Sequence, residues 1–251
     1  MIIIKTPDEI DHMRESCRMA AVVLDRVAQK VTPGVSTGDL DAYAQEEMKS
    51  FGAESAFFGY RGYPGHICVS INDEVVHGIP GARRIQMGDV VSLDVGVLFE
   101  GFYGDTATSV MVGVSDPALI RLARVGEEAL EAAISKAVAG GRLGDVCHAI
   151  ESAAIEGGFS VVRDFVGHGV GRSLHEDPQI PNFGAAGKGP KLKVGMTLAI
   201  EPMINMGSYE VEVLKDGWTV RTMDRKPSVH FEHTIAIRQG PAEVLTCVKK
   251  K

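Results

Sequence analysis

The chain has 251 residues, of which 45% are hydrophobic and 24% charged, and this is the composition of an ordinary globular protein. Its net charge of −7 argues against a general nucleic-acid or anionic-membrane surface, and no apolar run approaches the roughly 18 residues of a membrane span. The four cysteines are widely spaced and form no Cys-x-x-Cys pair, so we predict reduced thiols and a cytoplasmic protein without a signal peptide.

The first half of the chain predicts two helices followed by strands. A capping box at Thr6–Glu9, with proline at the first helical position, begins a helix whose apolar residues recur every three or four positions up to Val27. Thr32-Pro33-Gly34 ends this helix, and a shorter helix is predicted from about residue 38 to Ser50. Short apolar runs separated by glycine and proline then predict strands and turns over residues 55–112.

The second half predicts the same order of elements. A long helix is predicted to begin at Ser115-Asp116-Pro117 and to end near Val138, where Gly140-Gly141 follows. A shorter helix is predicted over about residues 144–156, and strand-like segments follow to the C-terminus.

Two spacings indicate an internal duplication. The Gly-Asp pair that begins at Gly38 recurs at Gly144, 106 residues later. A glycine stands six residues before Asp94 and again six residues before Glu201, which is 107 residues further along. Because a site is commonly formed between such units, we expect it between the halves. The predicted organisation is a single catalytic domain of two α/β halves: residues 1–251, divided at about 1–113 and 114–251.

Four acids and one imidazole stand in segments that otherwise have the character of a hydrophobic core. An unpaired buried carboxylate costs several kcal/mol or becomes neutral, so a group of them needs a shared countercharge. Four separate salt bridges would explain each residue singly, whereas a pair of divalent metal ions explains all of them together. These residues are Asp94, Asp105, His168, Glu201 and Glu232.

Asp94 and Asp105 flank a predicted hairpin. A turn at Phe99-Glu100 places the two aspartates opposite each other, whereas a turn at Glu100-Gly101 places them diagonally. In both registers the carboxylates share one face of the sheet, because side chains alternate with a period of two. A three-residue loop would instead put them on opposite faces.

Two of the other three residues have simpler explanations when each is taken alone. His168 lies between glycines, where a hydrogen-bonded histidine in a turn is common, and Glu232 could pair with a lysine or arginine on its alternating strand. Glu201 follows the strand-like segment TLAI. Oxygen-rich ligation with a single nitrogen suits manganese, iron(II), cobalt or zinc.

The chain resembles type I methionine aminopeptidases over essentially its whole length. The resemblance is carried, in this order, by NDEVVHGIP, GDVVSLDVG, GFYGDTA, GHGVGRSLHEDP, TLAIEPM and FEHT. It implies an α+β pita-bread fold with a curved antiparallel sheet, flanking helices and a pseudo-twofold axis. It also implies two metal ions, with Asp105 and Glu232 bridging them, Asp94 completing one site, and His168 and Glu201 completing the other.

The resemblance also implies the function, which is removal of the N-terminal methionine from nascent proteins and peptides. Two close divalent ions generate a bridging hydroxide near neutral pH, which would attack the carbonyl carbon of the first peptide bond, with Glu201 accepting a proton. The resemblance implies that His77 contacts the substrate near the scissile nitrogen and His175 near the carbonyl oxygen. A pair of structural loop histidines is the simpler alternative.

The specificity pocket is expected to be apolar, to suit methionine, and to prefer a small second residue. By the resemblance, Tyr60, Tyr63, Cys68 and Trp218 line it, and Phe57 and Leu174 join them; aromatic rings pack well against a thioether. Leu174 stands where the family often has a bulkier aromatic residue, and His230 stands where glutamine is common.

Two other functions fit the resemblance less well. An Xaa-Pro aminopeptidase or prolidase of the same fold usually carries a substantial extra N-terminal domain, and a non-catalytic pita-bread binding module would be expected to lack ligands. The expected partners are nascent polypeptide N-termini, with a possible transient ribosome contact but no direct nucleic-acid readout and no membrane. The family resemblance favours a monomer.

Overall fold

A computed structural model describes residues 1–248, so the last three residues of the predicted second half lie outside the described part. Within residues 1–248 the helices form two pairs: α1 (Pro7–Ala28), α2 (Thr37–Ser50), α3 (Pro117–Lys136) and α4 (Leu143–Glu156). The strands of the same region are β1 (Glu54–Ser55), β2 (Cys68–Ile71), β3 (Glu74–Val76), β4 (Val90–Phe99), β5 (Phe102–Met111), β6 (Ser160–Val161), β7 (Gly167–Gly169), β8 (Glu176–Ile180), β9 (Thr197–Ile200), β10 (Met203–Asn205), β11 (Val211–Val213), β12 (Val220–Thr222), β13 (Ser228–His230), β14 (Glu232–Ala236) and β15 (Glu243–Val244).

The helix ends follow the local sequence signals closely. Thr6 caps α1 through the predicted capping box with Glu9. Asp116 accepts the backbone N–H of Ala118 at the start of α3. This helix ends two residues earlier than predicted because Ala137 leaves the helical conformation, with ψ at 61°.

One antiparallel sheet forms the centre of the molecule, with strand order β1-β4-β5-β14-β9-β7-β8 and with β2 and β15 paired at its sides. Two three-stranded sheets, β13-β10-β6 and β11-β12-β3, adjoin it. This mixture of helices and antiparallel strands confirms the α+β prediction. No helix in residues 1–248 is both long and apolar enough to span a membrane.

Burial on one face of β4 decides where its acid points. Val91, Leu93, Val95 and Val97 are all buried and pack with the apolar faces of α1 and α2. Because side chains alternate along a strand, Asp94 projects from the opposite face, away from the helices. A second cluster packs α3 and α4 against β9 and β14 in the same manner.

The two helix pairs are anchored by matching backbone hydrogen bonds. Gly34 donates to Ile85 at 2.8 Å, and Gly140 donates to Leu192 at 2.9 Å. These donors are 106 residues apart and their acceptors 107, the same offsets that the sequence spacings give. The matching bonds support the proposal of two repeated halves.

Candidate metal centre and active site

The hairpin of β4 and β5 has the second of the two registers considered from the sequence. Phe99 pairs with Phe102, so the turn is Glu100-Gly101, and both turn residues have positive φ as a two-residue hairpin turn requires. Gly96 therefore lies opposite Asp105. Gly96 is needed for packing as well, since a Cβ there would lie 2.5 Å from the ring of Phe57.

Strand pairing brings the acids onto one face of the central sheet. Ala107 of β5 lies opposite Asp94 of β4 and also opposite Glu232 of β14, so a small residue separates the two acids. Asp105 is two positions from Ala107 and therefore projects from the same face. The N-terminal hairpin and the C-terminal strand β14 thus supply carboxylates to a single site.

The strands of the second half add the remaining two residues. His168 on β7 pairs with Ala199 on β9, and Glu201 follows β9 directly. Nε2 of His168 lies 3.6 Å from a carboxylate oxygen of Glu201 and 3.8 Å from one of Asp105. One ligand atom from each of Asp105, His168 and Glu232 lies within 4.8 Å of the other two. A buried Asp/His/Glu metal-binding group is therefore present.

Burial and mutual repulsion make these acids hard to ionise in the absence of a cation. Burial, followed by the charge of Glu201, raises the pKa of Asp105 to about 8. Burial also raises the pKa of Glu201 to about 8. The pKa values of Asp94 and Glu232 lie well above their ordinary range, first through burial and then through their carboxylate neighbours.

His168 has the form of a metal ligand. Its Nδ1–H donates to the backbone carbonyl of Gly169 at 2.9 Å, which leaves Nε2 as the nitrogen that faces the acids. Burial, followed by the nearby His175, lowers the pKa of His168 to about 3, so the ring is neutral at physiological pH. A neutral imidazole with a free lone pair binds divalent cations.

Every residue predicted for the site lines one cavity of about 140 Å³. This volume is smaller than a pocket for a drug-sized ligand and suits a single side chain. The lining residues are Phe57, Tyr60, Arg61, Tyr63, Cys68, His77, Asp94, Asp105, His168, Leu174, His175, Glu201, Trp218 and Glu232.

The apolar part of the cavity has rigid walls. Tyr63 is buried and its hydroxyl donates to the backbone carbonyl of Gly78 at 2.9 Å. Its ring meets Trp218 edge-on with centroids 5.1 Å apart. Cys68 and Leu174 are buried in the same apolar cluster.

The two loop histidines lie at the cavity but are held differently. His77 has a positive φ of 59°, an uncommon backbone conformation for a residue other than glycine. Its ring packs edge-on against Phe165 and Trp218, and burial lowers its pKa to about 4. His175 is more exposed, and its Nδ1 shares a 2.9 Å hydrogen bond with the Tyr60 hydroxyl.

Sequence reasoning missed one residue of the cavity and assigned no role to a buried histidine beside Glu201. Arg61 was not predicted, although its place between the two pocket tyrosines in YRGYPG was an available signal. His230 is buried, and its Nε2 lies 3.4 Å from a carboxylate oxygen of Glu201. His233 faces away from Glu232, as predicted from strand alternation, and its Nδ1 contacts the Thr246 hydroxyl.

Comparison with known proteins agrees with this geometry. The family described as Metallopeptidase family M24 matches residues 11–239. The chain is 48% identical over 248 residues to methionine aminopeptidase 1 of Bacillus subtilis, a match that covers 99% of this chain and 100% of that protein.

Solved structures show the same relationship. The methionine aminopeptidase of Thermotoga maritima is 48% identical, with a TM-score of 0.97 that covers 99% of this chain and 100% of that one. The prolidase of Pyrococcus furiosus has a TM-score of 0.81 at 24% identity and is similar in fold alone; the match covers 99% of this chain and 66% of that one. The pita-bread fold predicted from the sequence is confirmed.

Proposed function

We propose that this chain, which belongs to the methionine aminopeptidases of metallopeptidase family M24 and removes N-terminal methionine, works through a centre of two divalent metal ions. Asp105 and Glu232 would bridge the ions, with cobalt, manganese, iron(II) or zinc as the candidates. The proposed ligands are Asp94, Asp105, His168, Glu201 and Glu232.

A single observation carries this proposal. Within residues 1–248, one carboxylate oxygen on each of Asp94, Asp105 and Glu232 is buried and has no hydrogen-bond partner. Buried polar atoms are nearly always satisfied, so three unsatisfied anionic oxygens on one face indicate a cationic partner. Nε2 of His168 faces the same space, and the donor set fits a divalent transition metal.

The proposed roles divide between the ions and the side chains. Bound ions would polarise the scissile carbonyl and lower the pKa of a water molecule. Glu201 would accept a proton from the attacking water, since its carboxylate lines the cavity and is 14% exposed. His77, neutral through burial, donates a hydrogen bond near the scissile nitrogen, and His175 donates one near the carbonyl oxygen.

The same cavity supports the proposed substrate. The methionine side chain occupies the space walled by Tyr60, Tyr63, Cys68 and Trp218, where its thioether contacts aromatic rings. Phe57 and Leu174 complete this wall. We expect preference for a small second residue, because the cavity volume of about 140 Å³ leaves room for one long side chain.

We propose that the natural substrates are the N-termini of nascent polypeptides. The enzyme would be a cytoplasmic monomer that binds them during transient contact with the ribosome. Four free cysteines, three of them buried, support a reducing compartment. We also propose that the chain forms one catalytic domain of two repeated halves.

A peptide assay tests the proposed specificity. Protein loaded with one of the four candidate metals should release methionine from Met-Ala-Ser and leave Met-Leu-Ser and Xaa-Pro peptides nearly untouched. Cleavage of Xaa-Pro peptides alone would show a proline-directed peptidase. No turnover with any of the four metals would show a binding protein that lacks catalysis.

A further inference from the structure

The N-terminal segment, residues 1–9, forms a buried ion pair with the 171–177 loop, which carries His175. The ammonium of Lys5 contacts a carboxylate oxygen of Glu176, and the two side chains are only 3% and 5% exposed. Burying two charges costs several kcal/mol per ion before their attraction is counted. A pair in this setting is therefore a specific feature of the fold rather than a surface contact.

Glu176 also fixes the backbone of the loop. Its other carboxylate oxygen accepts the backbone N–H groups of Arg172 at 3.0 Å and of Ser173 at 3.3 Å. The pair packs directly on Gly171, where a Cβ would lie 2.4 Å from Cε of Lys5 and 2.7 Å from the Glu176 carboxylate. The Glu176 carboxylate thus contacts the loop at Gly171, Arg172 and Ser173 and joins it to Lys5 of the N-terminal segment.

Lys5 is itself held in place by its backbone. Its N–H donates to the carbonyl of Gly195 at 2.8 Å, and a Cβ at Gly195 would lie 2.7 Å from the Lys5 carbonyl oxygen. Gly195 immediately precedes Met196 and β9, the strand that leads to Glu201. The backbone that carries the Lys5 ammonium is therefore fixed to the core beside β9.

The loop that Glu176 closes contains two residues of the cavity. Leu174 and His175 stand between Ser173 and Glu176, so their positions depend on the turn that Glu176 holds. Glu176 also begins β8 opposite Gly169, the neighbour of His168. Apart from this turn, His175 contacts Tyr60 through a hydrogen bond and ring stacking, and its ring centroid lies 4.3 Å from that of His168.

We propose that Lys5 is a positioning residue for the reaction, acting through Glu176 to hold His175 in place against the substrate. The proposal rests on the role of His175 given under the proposed function. Without the ammonium, the buried carboxylate of Glu176 has no countercharge, and this uncompensated burial destabilises the closed loop. His175 then moves with the loop.

A second ion pair between the same two segments provides a matched control. Arg172 pairs with Glu9, yet these side chains are 62% and 27% exposed. Exposed pairs contribute little, because solvent screens them. Arg172→Gln therefore removes a charge contact between segment and loop without leaving a buried charge.

The first test compares Lys5→Met with Arg172→Gln. Lys5→Met should lower kcat on Met-Ala-Ser by roughly 10- to 100-fold, the scale on which misplacing a catalytic group acts. Its metal content and its folded state at the assay temperature should be nearly unchanged, and Arg172→Gln should match the wild type. If Lys5→Met does not fold, Lys5→Gln keeps a donor for Glu176 and serves in its place.

A double-mutant cycle separates positioning from general stabilisation. In the His175→Ala background, Lys5→Met should cause no further loss of kcat, because its effect passes through His175. Equal fold losses in both backgrounds would overturn the role of Lys5. Full activity of His175→Ala alone would instead overturn the proposed role of His175, so the two failures are distinguishable.

A spectroscopic measurement covers the case in which His175→Ala has too little activity for the cycle. In protein labelled with ¹⁵N-histidine, the His175 ring resonances should shift in Lys5→Met and stay unchanged in Arg172→Gln. Unchanged His175 resonances in folded Lys5→Met would contradict the proposal. Glu176→Gln added to Lys5→Met should return them toward wild type, because the glutamine oxygen can still accept the loop N–H groups.

Discussion

The two halves of the molecule attach their helices alike but contribute different chemistry to the cavity. The backbone hydrogen bond from the N–H of Gly38 to the carbonyl of Gly81, at 2.8 Å, corresponds to the one from Gly144 to Lys188, at 3.0 Å. The N-terminal half adds two aspartates on neighbouring strands and most of the apolar wall. The C-terminal half adds His168 and two glutamates.

If the two halves are repeats, as proposed, this difference shows that matching backbone positions determine where the site lies but not which side chains it contains. Asp94 and Glu201 stand at matching offsets, but Asp94 lies inside β4, whereas Glu201 follows the last residue of β9. The longer glutamate outside a strand reaches toward His168 and His230. The contribution of each half to function therefore depends on single residues, such as Asp94 and Glu201, at matching backbone positions.

The largest expected effect comes from removing a carboxylate that both proposed metal sites would share. Asp105→Asn should abolish methionine release and lower the metal content, because it removes a bridge between the N-terminal and C-terminal ligands. Glu100→Gln is the control, since this exposed carboxylate lies at the turn of the same hairpin. Retained turnover in Asp105→Asn, measured with Met-Ala-Ser, would exclude the two-metal mechanism.

The next largest effect is expected from the two histidines that are proposed to contact the substrate, one from each half. His77→Ala and His175→Ala should each lower kcat by about 10²-fold, the scale of losing one acid–base or hydrogen-bonding group. Metal content, measured by mass spectrometry, should stay at the wild-type value in both. Loss of metal from His77→Ala would make His77 a ligand. His66→Ala is the control, because His66 lines a different surface depression.

The metal-free protein should lose stability as the pH rises from about 6.5 to 8. Asp105 and Glu201, with pKa values of about 8, keep protons over this range that the unfolded chain has already released. Each such proton changes the free energy of unfolding by about 1.4 kcal/mol per pH unit. Below pH 6.5 the histidines act in the opposite direction, since buried His168 and His230 stay neutral to about pH 3.

Melting temperatures across this range provide the measurement. With chelator the melting temperature should fall between pH 6.5 and 8, whereas with manganese it should not, because bound cations favour the ionised carboxylates. A melting temperature that rises over this range without metal would contradict the assignment of the buried acids.

The smallest expected effect compares the glycines that anchor the two short helices. A Cβ at Gly144 would lie 2.4 Å from the Ala185 carbonyl oxygen, whereas a Cβ at Gly38 would lie 3.0 Å from that of Gly81. Gly144→Ala should therefore destabilise the fold by about 1–3 kcal/mol, and Gly38→Ala by less. Urea unfolding measures the free energy of unfolding of both variants. Equal losses would show that the two positions tolerate a Cβ equally well.

Much of the fold and the presence of an acid cluster were predictable because the signals are local. Capping residues, apolar spacing and glycine stops set the helices to within about two residues. The acids were visible because Asp94 interrupts an apolar strand, and their common face follows from strand alternation.

Features that depend on distant parts of the chain were not predictable in this way. The hairpin register remained open until the pairing of Phe99 with Phe102 decided it. The contact between Lys5 and Glu176 joins residues that are 171 positions apart, and the sequence around either residue does not identify the other as its partner. The approach of His230 to Glu201 likewise requires two strands to meet.

The central claim is that five side chains from the two halves hold a pair of metal ions. Anomalous diffraction from crystals grown with manganese tests it most directly, since it locates the ions without reference to activity. We expect two peaks, one beside Asp94 and one beside His168 and Glu201, both in contact with Asp105 and Glu232. Full manganese loading with no peak among these carboxylates would contradict the account.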